Sequence, residues 1–384
     1  MNTEVIYLDH AAATPLDKQV LAAMLPYFSD DFYNPSSPYA PALKVKHDYE
    51  TAKAVIASVI GAKADELVMT AGATESINLA FDSIGGHVVT ATIEHPAILE
   101  AAKKHEHTLV PSDKRGMISA ENVAKAIRPD TQLVSIALAN NELGTIQPLR
   151  DIAVMIKAER ERRLIHGDKT PLYLHSDASQ GLGAIAVHVS RLGVDLLTLN
   201  AGKIYGPKQV GLLWADRSVR LAPQIVGGGQ ERGLRSGTEN VAGVIGFARA
   251  MEVTDKHRKS EAERIGALRD YLQKELVQAF PEAIVSGHQK HRLPGYLHIS
   301  FPGIDAERLV FALEARGVLV ATGSACAANK GTRSHVLTAI GLAPEVADGS
   351  LRLTLGRVST DENTKKAAQA IIETVKREKQ RVGV

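Results

Sequence analysis

Short runs of β-branched and other apolar residues alternate with helical patterns through the first two-thirds of the 384-residue chain. Several runs are apolar at every position, as is typical of strands covered by helices on both faces. This alternation predicts an α/β fold built on a mainly parallel sheet. The predicted strands lie at 66–70, 87–94, 132–139, 172–178, 196–200 and 210–215, and predicted helices lie at 100–105, 120–127 and 150–163.

The pattern changes after the stretch "GGGQERGLRSGTEN" (227–240). One long helix is predicted over 239–279, and later segments predict an α+β arrangement. Its strands lie within 296–303 and 351–356, and its helices lie near 305–316 and at the C-terminal end. Before the last helix, Ser359 and Glu362 have the spacing of a capping box. The predicted domains are a large one of residues 15–255 and a smaller one of residues 1–14 and 256–384.

Composition argues against several classes of function. A formal net charge of +2 and 45% hydrophobic residues give no reason to expect nucleic acid or membrane partners. No apolar run reaches transmembrane length, and the start of the sequence lacks the pattern of a secretory signal. A cytoplasmic protein is therefore expected, and a single cysteine permits no internal disulfide. The histidine-containing stretches 105–107 and 288–291 lack partner cysteines, so no metal site is predicted.

Three segments place polar residues where strands of the predicted sheet end. In "TAGATES" (70–76), glycines and a helix start offer backbone N–H groups to a phosphate, and Thr74 adds a hydroxyl. Asp177 ends a strongly apolar strand, where a carboxylate needs a cation or hydrogen-bond donors. Lys203 follows another buried strand, and an amine held there can lose its proton and attack a carbonyl. Taken singly, these residues also fit a turn that binds nothing, a helix cap and a surface lysine.

Together, the three segments supply a phosphate cradle, a buried acid and a candidate Schiff-base lysine. Pyridoxal phosphate needs this set, because the acid keeps the ring nitrogen protonated and the ring then withdraws electrons. The one cysteine, Cys326, lies among glycine, serine and alanine in "ATGSACAANKG" (321–331). Since nothing bulky in that stretch can bury the thiol, the local sequence leaves two alternatives. The thiol is either inert or a reactive group on a flexible loop.

The motifs of this sequence occur in the order found in one enzyme family. They are "NPSS", "GATES", "EHPAILE", "NNELGTIQP", "SDASQ", "GKIYGPK", "RSGTEN" and "GSAC", and the match extends from "YLDHAAATPL" (7–16) to "LRLTLGR" (351–357). On these motifs the chain resembles the cysteine desulfurases, a pyridoxal-phosphate-dependent branch of the class V aminotransferases. The resemblance implies transferase fold type I. It also implies conversion of L-cysteine to L-alanine, with the sulfur passing to Cys326 as a persulfide.

The resemblance implies a role for each matching residue. Lys203 matches the lysine that joins the cofactor covalently, and Cys326 matches the sulfur nucleophile. His95 matches the imidazole that stacks on the cofactor ring and moves protons. The other residues implied to bind the cofactor are Ala73, Thr74, Asn141, Asp177, Gln180, Asn200, Gly202 and Thr238. The residues implied to bind the substrate are Arg357, which would hold its carboxylate, with Asn34 and Asn141.

Partners follow from the same resemblance. Thr238 matches a residue that reaches the phosphate of the neighbouring subunit, which implies a homodimer. The long loop from Cys326 to residues 334–337 resembles that of the branch whose loop delivers sulfur to acceptor proteins. An acceptor for iron–sulfur cluster assembly, including a scaffold protein, or for thio-modification is therefore expected. Some relatives dock a scaffold through an extra C-terminal segment, and because this sequence stops soon after its last helix we do not expect docking by that route.

The sequence departs from the family near the phosphate. Relatives usually have Ser or Thr, one further residue and then His immediately before the lysine, whereas this chain has Asn200 and Gly202. Gln230 and Tyr39 also replace histidines that are common in relatives. A lost hydrogen bond to a charged group costs about 1.5–3 kcal/mol, so cofactor affinity should fall about 10- to 100-fold if nothing compensates. Equal affinity in a Gly202→His variant would contradict this expectation.

Two other functions fit parts of the sequence. A selenocysteine lyase or an aminotransferase of the same fold is the nearest alternative, and a Cys326→Ala variant separates it from a desulfurase. A sulfur carrier that binds little cofactor is the second alternative, suggested by Asn200 and Gly202. Such a carrier would lack the absorbance of the bound cofactor and would not turn over cysteine. The full set of matching site residues favours the cysteine desulfurase.

Overall fold

The computed structural model describes residues 5–322 and 333–383. Its strands are β1 (Ile6–Tyr7), β2 (Leu67–Thr70), β3 (His87–Ala91), β4 (His107–Val110), β5 (Thr131–Ser135), β6 (Tyr173–Asp177), β7 (Leu196–Asn200), β8 (Gly211–Ala215), β9 (Ile284–Ser286), β10 (Tyr296–Ser300), β11 (Val318–Leu319), β12 (Ala321–Thr322) and β13 (Ser350–Thr354).

The helices alternate with these strands. They are α1 (Lys18–Met24), α2 (Pro26–Ser29), α3 (Ala40–Ile60), α4 (Ala73–Asp82), α5 (Pro96–Ala102), α6 (Ala120–Ala126), α7 (Leu149–Ile165), α8 (Val189–Leu192), α9 (Val241–Ala279), α10 (Ala306–Glu314), α11 (His335–Ala339), α12 (Pro344–Ala347) and α13 (Asp361–Val382). Short 3₁₀ turns lie at Ala64–Glu66, Ala201–Lys203 and Glu231–Gly233. Within the described residues, none of the helices has both the length and the apolar character that a membrane span requires.

The large sheet has seven strands in the order β2–β8–β7–β6–β5–β3–β4. Strands β3 to β7 pair in parallel, and β8 is antiparallel to both of its neighbours. The predicted α/β fold with a mainly parallel sheet is therefore confirmed. The predicted runs 87–94 and 132–139 are longer than the strands that they contain. The last residues of both runs lie beyond the ends of the strands, and several of them line the cavity at the edge of the sheet that is described below.

Helices cover both faces of the large sheet, which explains why its strands are apolar at consecutive positions. Leu197 of β7 packs in one cluster with Ile56 of α3 and Phe247 of α9. Its neighbour Leu196 faces the other way and packs in a cluster with Phe81 of α4. Burying such a side chain contributes about 1.5–3 kcal/mol, so both layers stabilise the sheet.

The predicted helices of this region are confirmed at 120–127 and 150–163, which correspond to α6 and α7. The helix predicted at 100–105 lies earlier in the chain, since α5 begins at Pro96 and ends at Ala102. Proline suits the first turn of a helix because its missing N–H would have no intrahelical acceptor there. The start of this helix is therefore fixed by a residue outside the predicted range.

A second core forms around the small antiparallel sheet β12–β13–β10–β9. Leu297 of β10, Leu353 of β13 and Ile371 of α13 are fully buried in it. Helix α9 belongs to both cores, because Phe247 near its start packs in the first and Leu272 packs in the second. Residues of α11 pack in the first core. The domain boundaries themselves remain a prediction.

The N-terminal cap of α13 lies one residue later than predicted. The Thr360 hydroxyl accepts a hydrogen bond from the Asn363 N–H at 3.2 Å, and the Asn363 side-chain oxygen accepts one from the Thr360 N–H at 2.8 Å. The predicted capping pair, Ser359 and Glu362, is therefore wrong. Ser359 is buried instead, and its hydroxyl accepts a hydrogen bond from the Gly356 N–H at 3.1 Å.

Candidate active site

Polar residues collect at the edge of the large sheet where its parallel strands end. Asp177 is the last residue of β6, and Asn200 is the last residue of β7. His95 follows β3 in the chain, and Lys203 follows β7. These residues line one cavity of about 230 Å³. Of the residues predicted to bind the cofactor, the cavity brings together Ala73, Thr74, His95, Asn141, Asp177, Gln180, Asn200 and Lys203.

Lys203 lies at the end of a 3₁₀ turn that directly follows β7. Asn200 caps this turn, since its side-chain oxygen accepts a hydrogen bond from the Gly202 N–H at 2.9 Å. The Lys203 Nζ donates hydrogen bonds to the carbonyl oxygens of Ala11 and Ala12, each at 2.8 Å. The amine is thus held at a defined place in the cavity wall.

His95 caps the N-terminus of α5, where its Nδ1 accepts a hydrogen bond from the Ala97 N–H at 3.1 Å. Burial lowers the pKa of His95 below its ordinary value, although the charge of Asp177 opposes this effect. A neutral imidazole whose Nδ1 accepts a hydrogen bond carries its proton on Nε2. The neutral His95 ring therefore offers an N–H donor at Nε2 and becomes an imidazolium when it takes up a further proton.

Asp177 and Gln180 lie on the turn that leaves β6. The Asp177 Oδ1 accepts a hydrogen bond from the Ser179 N–H at 2.9 Å. The Gln180 side-chain oxygen accepts a hydrogen bond from the Tyr296 hydroxyl at 2.5 Å, and its amide group donates one to the Ala11 carbonyl at 3.2 Å. Both ends of the Gln180 amide are therefore fixed by protein contacts at the cavity.

The N-terminus of α4 borders an open cleft of about 630 Å³, which Gly202, Lys203 and Lys208 also line. Gly72 caps this helix with an extended backbone of positive φ (142°) and offers no side-chain hydrogen bond. The first-turn N–H groups of a helix have no intrahelical acceptor, so they favour an anion here. The predicted cradle at Ala73 and Thr74 and the turn at Gly202 thus lie along one cleft.

Arg357, which was predicted to hold the substrate carboxylate, already has protein partners. Its guanidinium donates hydrogen bonds to Asp17 at 3.0 Å and to the Thr254 hydroxyl at 2.5 Å. It also stacks 4.3 Å from the centre of the Tyr205 ring. Arg357 lines a side cavity of about 100 Å³, and Lys203 lines that cavity too.

Sequence reasoning missed a second arginine, Arg352, in the middle of β13. It is 4% exposed, and its guanidinium donates hydrogen bonds to Asp9 at 2.7 Å and to the Asn141 carbonyl at 3.3 Å. Its Nε finds no acceptor within residues 5–322 and 333–383. Asn141, whose carbonyl accepts the hydrogen bond from Arg352, also lines the cavity. An arginine inside an apolar strand was the available sequence signal, because such a charge is costly to bury.

Glu94 was also missed, although it directly precedes His95 and lines the same cavity. One carboxyl oxygen accepts a hydrogen bond from the Ala137 N–H at 3.0 Å. The other oxygen is buried and has no hydrogen-bond partner in the described part of the chain. Burial raises the pKa of Glu94 to about 8. The side chain therefore holds a proton at neutral pH.

Two further predicted residues line neither this cavity nor the cleft and side cavity beside it, and a third lies outside the described residues. Asn34 is exposed, and its side-chain oxygen accepts a hydrogen bond from the Ser36 N–H at 2.9 Å. Thr238 is exposed in the loop before α9. Cys326 lies outside the described residues. Their predicted roles therefore remain predictions.

Residues 6–366 match the aminotransferase class-V family. The chain belongs to this family. Two curated relatives are cysteine desulfurases: IscS 1 of Archaeoglobus fulgidus is 40% identical over 97% of both chains, and IscS of Dictyoglomus turgidum is 40% identical over 93% of this chain and 91% of its own. A solved NifS-like protein is 33% identical, covers 97% of this chain and 99% of its own, and has a TM-score of 0.89. A structure described as SspA in complex with cysteine is 34% identical. It covers 92% of this chain and 100% of its own, with a TM-score of 0.77.

Class-V aminotransferases of this kind use pyridoxal phosphate, and the donor set of the cavity fits that cofactor. Lys203 offers an amine to its aldehyde, and Asp177 offers a carboxylate to its ring nitrogen. The first turn of α4 offers N–H groups to its phosphate. Within the described residues, no group of three or more His, Cys, Asp or Glu side chains is arranged to hold a metal ion.

Proposed function

We propose that this class-V protein is a pyridoxal-phosphate-dependent cysteine desulfurase. In the overall reaction the Cβ–S bond of L-cysteine breaks, an S–S bond forms at Cys326, and a proton adds to Cβ to give L-alanine. The carbon is reduced and the transferred sulfur is oxidised, so no outside oxidant is needed. The proposal depends above all on one observation. Lys203, His95 and Asp177 line one cavity in a chain that is 40% identical to cysteine desulfurases.

When bound, pyridoxal phosphate supplies an electron sink for bond breaking at the substrate. The residues of the chain would orient the cofactor and the substrate and would transfer protons. The Lys203 amine would attach the cofactor, because the turn after β7 holds it in the cavity wall. The Asp177 carboxylate would keep the ring nitrogen protonated. Gln180, fixed by Tyr296 and by the Ala11 carbonyl, would present its amide to the ring hydroxyl.

His95 would carry protons between the substrate and the cavity. Its ring is neutral at physiological pH because burial lowers its pKa, so it can accept a proton as imidazole and release that proton again from the imidazolium. Its position as the cap of α5 fixes the ring through the hydrogen bond from Ala97. The proposed role of His95 in proton transfer therefore depends on an imidazole ring whose position is fixed and which is neutral before it takes up a proton.

The substrate carboxylate needs a cation, and two arginines are available. We assign the main contact to Arg352, because its Nε is buried without an acceptor among the described residues and its guanidinium already contacts Asn141 in the cavity wall. A carboxylate would satisfy that donor. Arg357, held by Asp17 and Thr254, then supports the side cavity. Asn34 would assist from outside the cavity.

Cys326 would receive the sulfur and pass it to an acceptor protein for iron–sulfur cluster assembly or thio-modification. The small residues around it in the sequence suit a loop that moves between the cavity and an acceptor. Thr238 would reach the phosphate site of a second copy, and its exposure here supports a homodimer. We place the reaction in the cytoplasm, where a single thiol stays reduced.

The test is to add L-cysteine to the purified protein. We expect alanine to form, with one additional sulfur atom on Cys326 detected by mass spectrometry. A Cys326→Ala variant should bind the cofactor normally and form no persulfide. Unchanged release of alanine and sulfide by that variant would refute the mechanism and favour a lyase that does not need the thiol.

A further inference from the structure

The phosphate end of the site has Asn200 and Gly202 where the family resemblance leads us to expect side chains that contact the phosphate, which leaves open which other residue of the cleft could balance the phosphate charge. A Cβ atom built on Gly202 would lie 3.3 Å from the Asn200 side-chain oxygen and 3.7 Å from the Cγ of Lys208. The Lys208 side chain therefore stands beside the position where relatives carry histidine. It lines the same cleft as the first turn of α4.

The sheet topology explains why Lys208 reaches this place. Strand β8 begins at Gly211, which pairs with Thr70 of β2 on one side and Asn200 of β7 on the other. A Cβ atom on Gly211 would lie 2.7 Å from the Gly72 Cα, so β8 starts directly against the cradle. The residues just before Gly211 consequently lie at the edge of the sheet, between the α4 cradle and the Lys203 turn.

The backbone before β8 is bent in an unusual way. Gln209 has a left-handed conformation (φ 60°), which is uncommon for a residue with a side chain and costs about 1 kcal/mol or more. This bend separates Lys208 from the buried strand, and the side chains of both residues line the cleft. The chain thus accepts backbone strain at a point that keeps a lysine beside the phosphate cradle.

The charges of the cleft make Lys208 the available cation. The described residues that line the cleft include two lysines, Lys203 and Lys208, and one acid, Glu75. Glu75 is already engaged by Arg235 at 2.9 Å and by the Ala71 N–H at 2.9 Å. Lys203 would be used for attachment of the cofactor. Lys208 has a long hydrogen bond of 3.4 Å to the Thr14 carbonyl, which a phosphate oxygen can replace at little cost.

We propose that Lys208 binds the phosphate of the cofactor and supplies the positive charge that histidine provides at position 202 in relatives. This inference rests on the pyridoxal phosphate site of the proposed function. It identifies the compensation that the sequence left open, and it predicts that affinity for the cofactor depends on the side chain at position 208.

The test compares two ligands that differ only in the phosphate. The full-length protein is stripped of cofactor and titrated with pyridoxal phosphate or with pyridoxal, and quenching of Trp214, the one tryptophan of the sequence, reports binding. We expect Lys208→Met to weaken binding of pyridoxal phosphate about 10-fold or more and to change binding of pyridoxal less than about twofold. Lys208→Arg should retain most of the affinity. Lys125→Met, which changes an exposed lysine paired with Glu121, is the matched control.

Each outcome decides the proposal. Equal changes for both ligands, or no change for either, would overturn the role of Lys208. If the unaltered protein does not attach pyridoxal phosphate at Lys203, the cofactor site fails and the inference fails with it. If the phosphate-selective loss is found but cysteine yields no alanine, Lys208 keeps its role and only the proposed reaction is wrong.

Discussion

Two regions of this molecule hold ionisable groups away from water, and the groups have different surroundings in the two regions. In the ion-pair cluster of Tyr49, Lys53, Met69 and Glu231, the Glu231 carboxylate is 5% exposed and accepts three kinds of hydrogen bond. They come from the Tyr49 hydroxyl at 2.6 Å, the Lys53 amine at 3.1 Å and the Met69 N–H at 2.9 Å. At the active site, by contrast, one oxygen of Glu94, which lines the cavity, and the Nε of Arg352, which contacts the cavity residue Asn141, have no partner among the described residues.

The contrast separates ionisable groups that stabilise the fold from ionisable groups that are available to bind a ligand. A buried carboxylate whose oxygens are fully hydrogen-bonded cannot bind a ligand without losing a protein contact. Glu231 and the next residue, Arg232, both have left-handed backbone conformations, with φ of 48° and 62°. A cavity whose polar groups keep unused hydrogen-bonding capacity can gain contacts when a ligand enters. Four predictions test this distinction.

The largest effect is expected at Lys203. A Lys203→Ala variant should lose turnover of cysteine by about 10⁴-fold or more, because the amine that attaches the cofactor is gone. Its stability without cofactor should change by only about 1 kcal/mol. Alanine formation and urea unfolding of the cofactor-free protein measure the two quantities. A large loss of stability with residual turnover would place Lys203 with the structural charges.

The reverse pattern is expected at Lys53. A Lys53→Met variant should destabilise the protein by about 3–5 kcal/mol, because it leaves the buried Glu231 carboxylate without its cation. Urea unfolding measures this change. Lys125→Met, which breaks an exposed pair with Glu121, should leave stability nearly unchanged. Equal effects of the two substitutions would show that burial of the Lys53 pair has no energetic consequence.

The two arginines sharpen the comparison within the site. Arg352→Lys should lower kcat/KM for cysteine about 100-fold, because lysine cannot replace the planar set of donors on a carboxylate. Arg357→Lys should lower kcat/KM about 10-fold or less. The Arg357 guanidinium contacts Asp17 and Thr254, so it stabilises the wall of the side cavity and does not bind the substrate. Steady-state kinetics with cysteine decide the matter. A larger loss of kcat/KM in Arg357→Lys than in Arg352→Lys would show that Arg357 binds the substrate carboxylate.

The smallest effect concerns the pH dependence of stability at Glu94. Its pKa in the folded protein is about 8, above the value of about 4.5 expected after unfolding, so the folded state holds the proton more tightly. Stability from this group is complete below pH 4.5 and falls as the pH rises toward 8. Between pH 5.5 and 7 the loss is about 2 kcal/mol. Glu94→Gln should remove that slope in urea unfolding, and an unchanged slope would contradict burial of a protonated carboxyl.

The sequence predicted the main elements of the site because parallel strands bring their carboxyl ends to one edge. Asp177 and Lys203 were found from that rule alone, and the structure places both in the same cavity. The long helix over 239–279 was equally accessible, since its sequence has no interior break. These features depend on local pattern and on sheet geometry.

Residues whose role depends on distant contacts were not accessible in the same way. Arg352 and Arg357 lie in one short motif, and only the folded structure distinguishes them. Arg352 contacts Asn141 of the cavity wall, whereas Arg357 is held by Asp17 and Thr254. Glu94 looks like any acid next to a histidine until its burial is known. The cap at Thr360 was displaced by one residue because Ser359 is used by Gly356, a contact that the spacing rule does not include.

Helix α9 has a consequence for how the two cores can move. It is 39 residues long, so it extends about 58 Å as one continuous rod, with Phe247 embedded at one end and Leu272 near the other. A flexible linker would allow the two halves to swing freely, whereas a helix resists bending along its whole length. Relative displacement of the cores must therefore come from elastic flexing of this rod and from sliding of the side chains around it, and α9 itself provides no hinge.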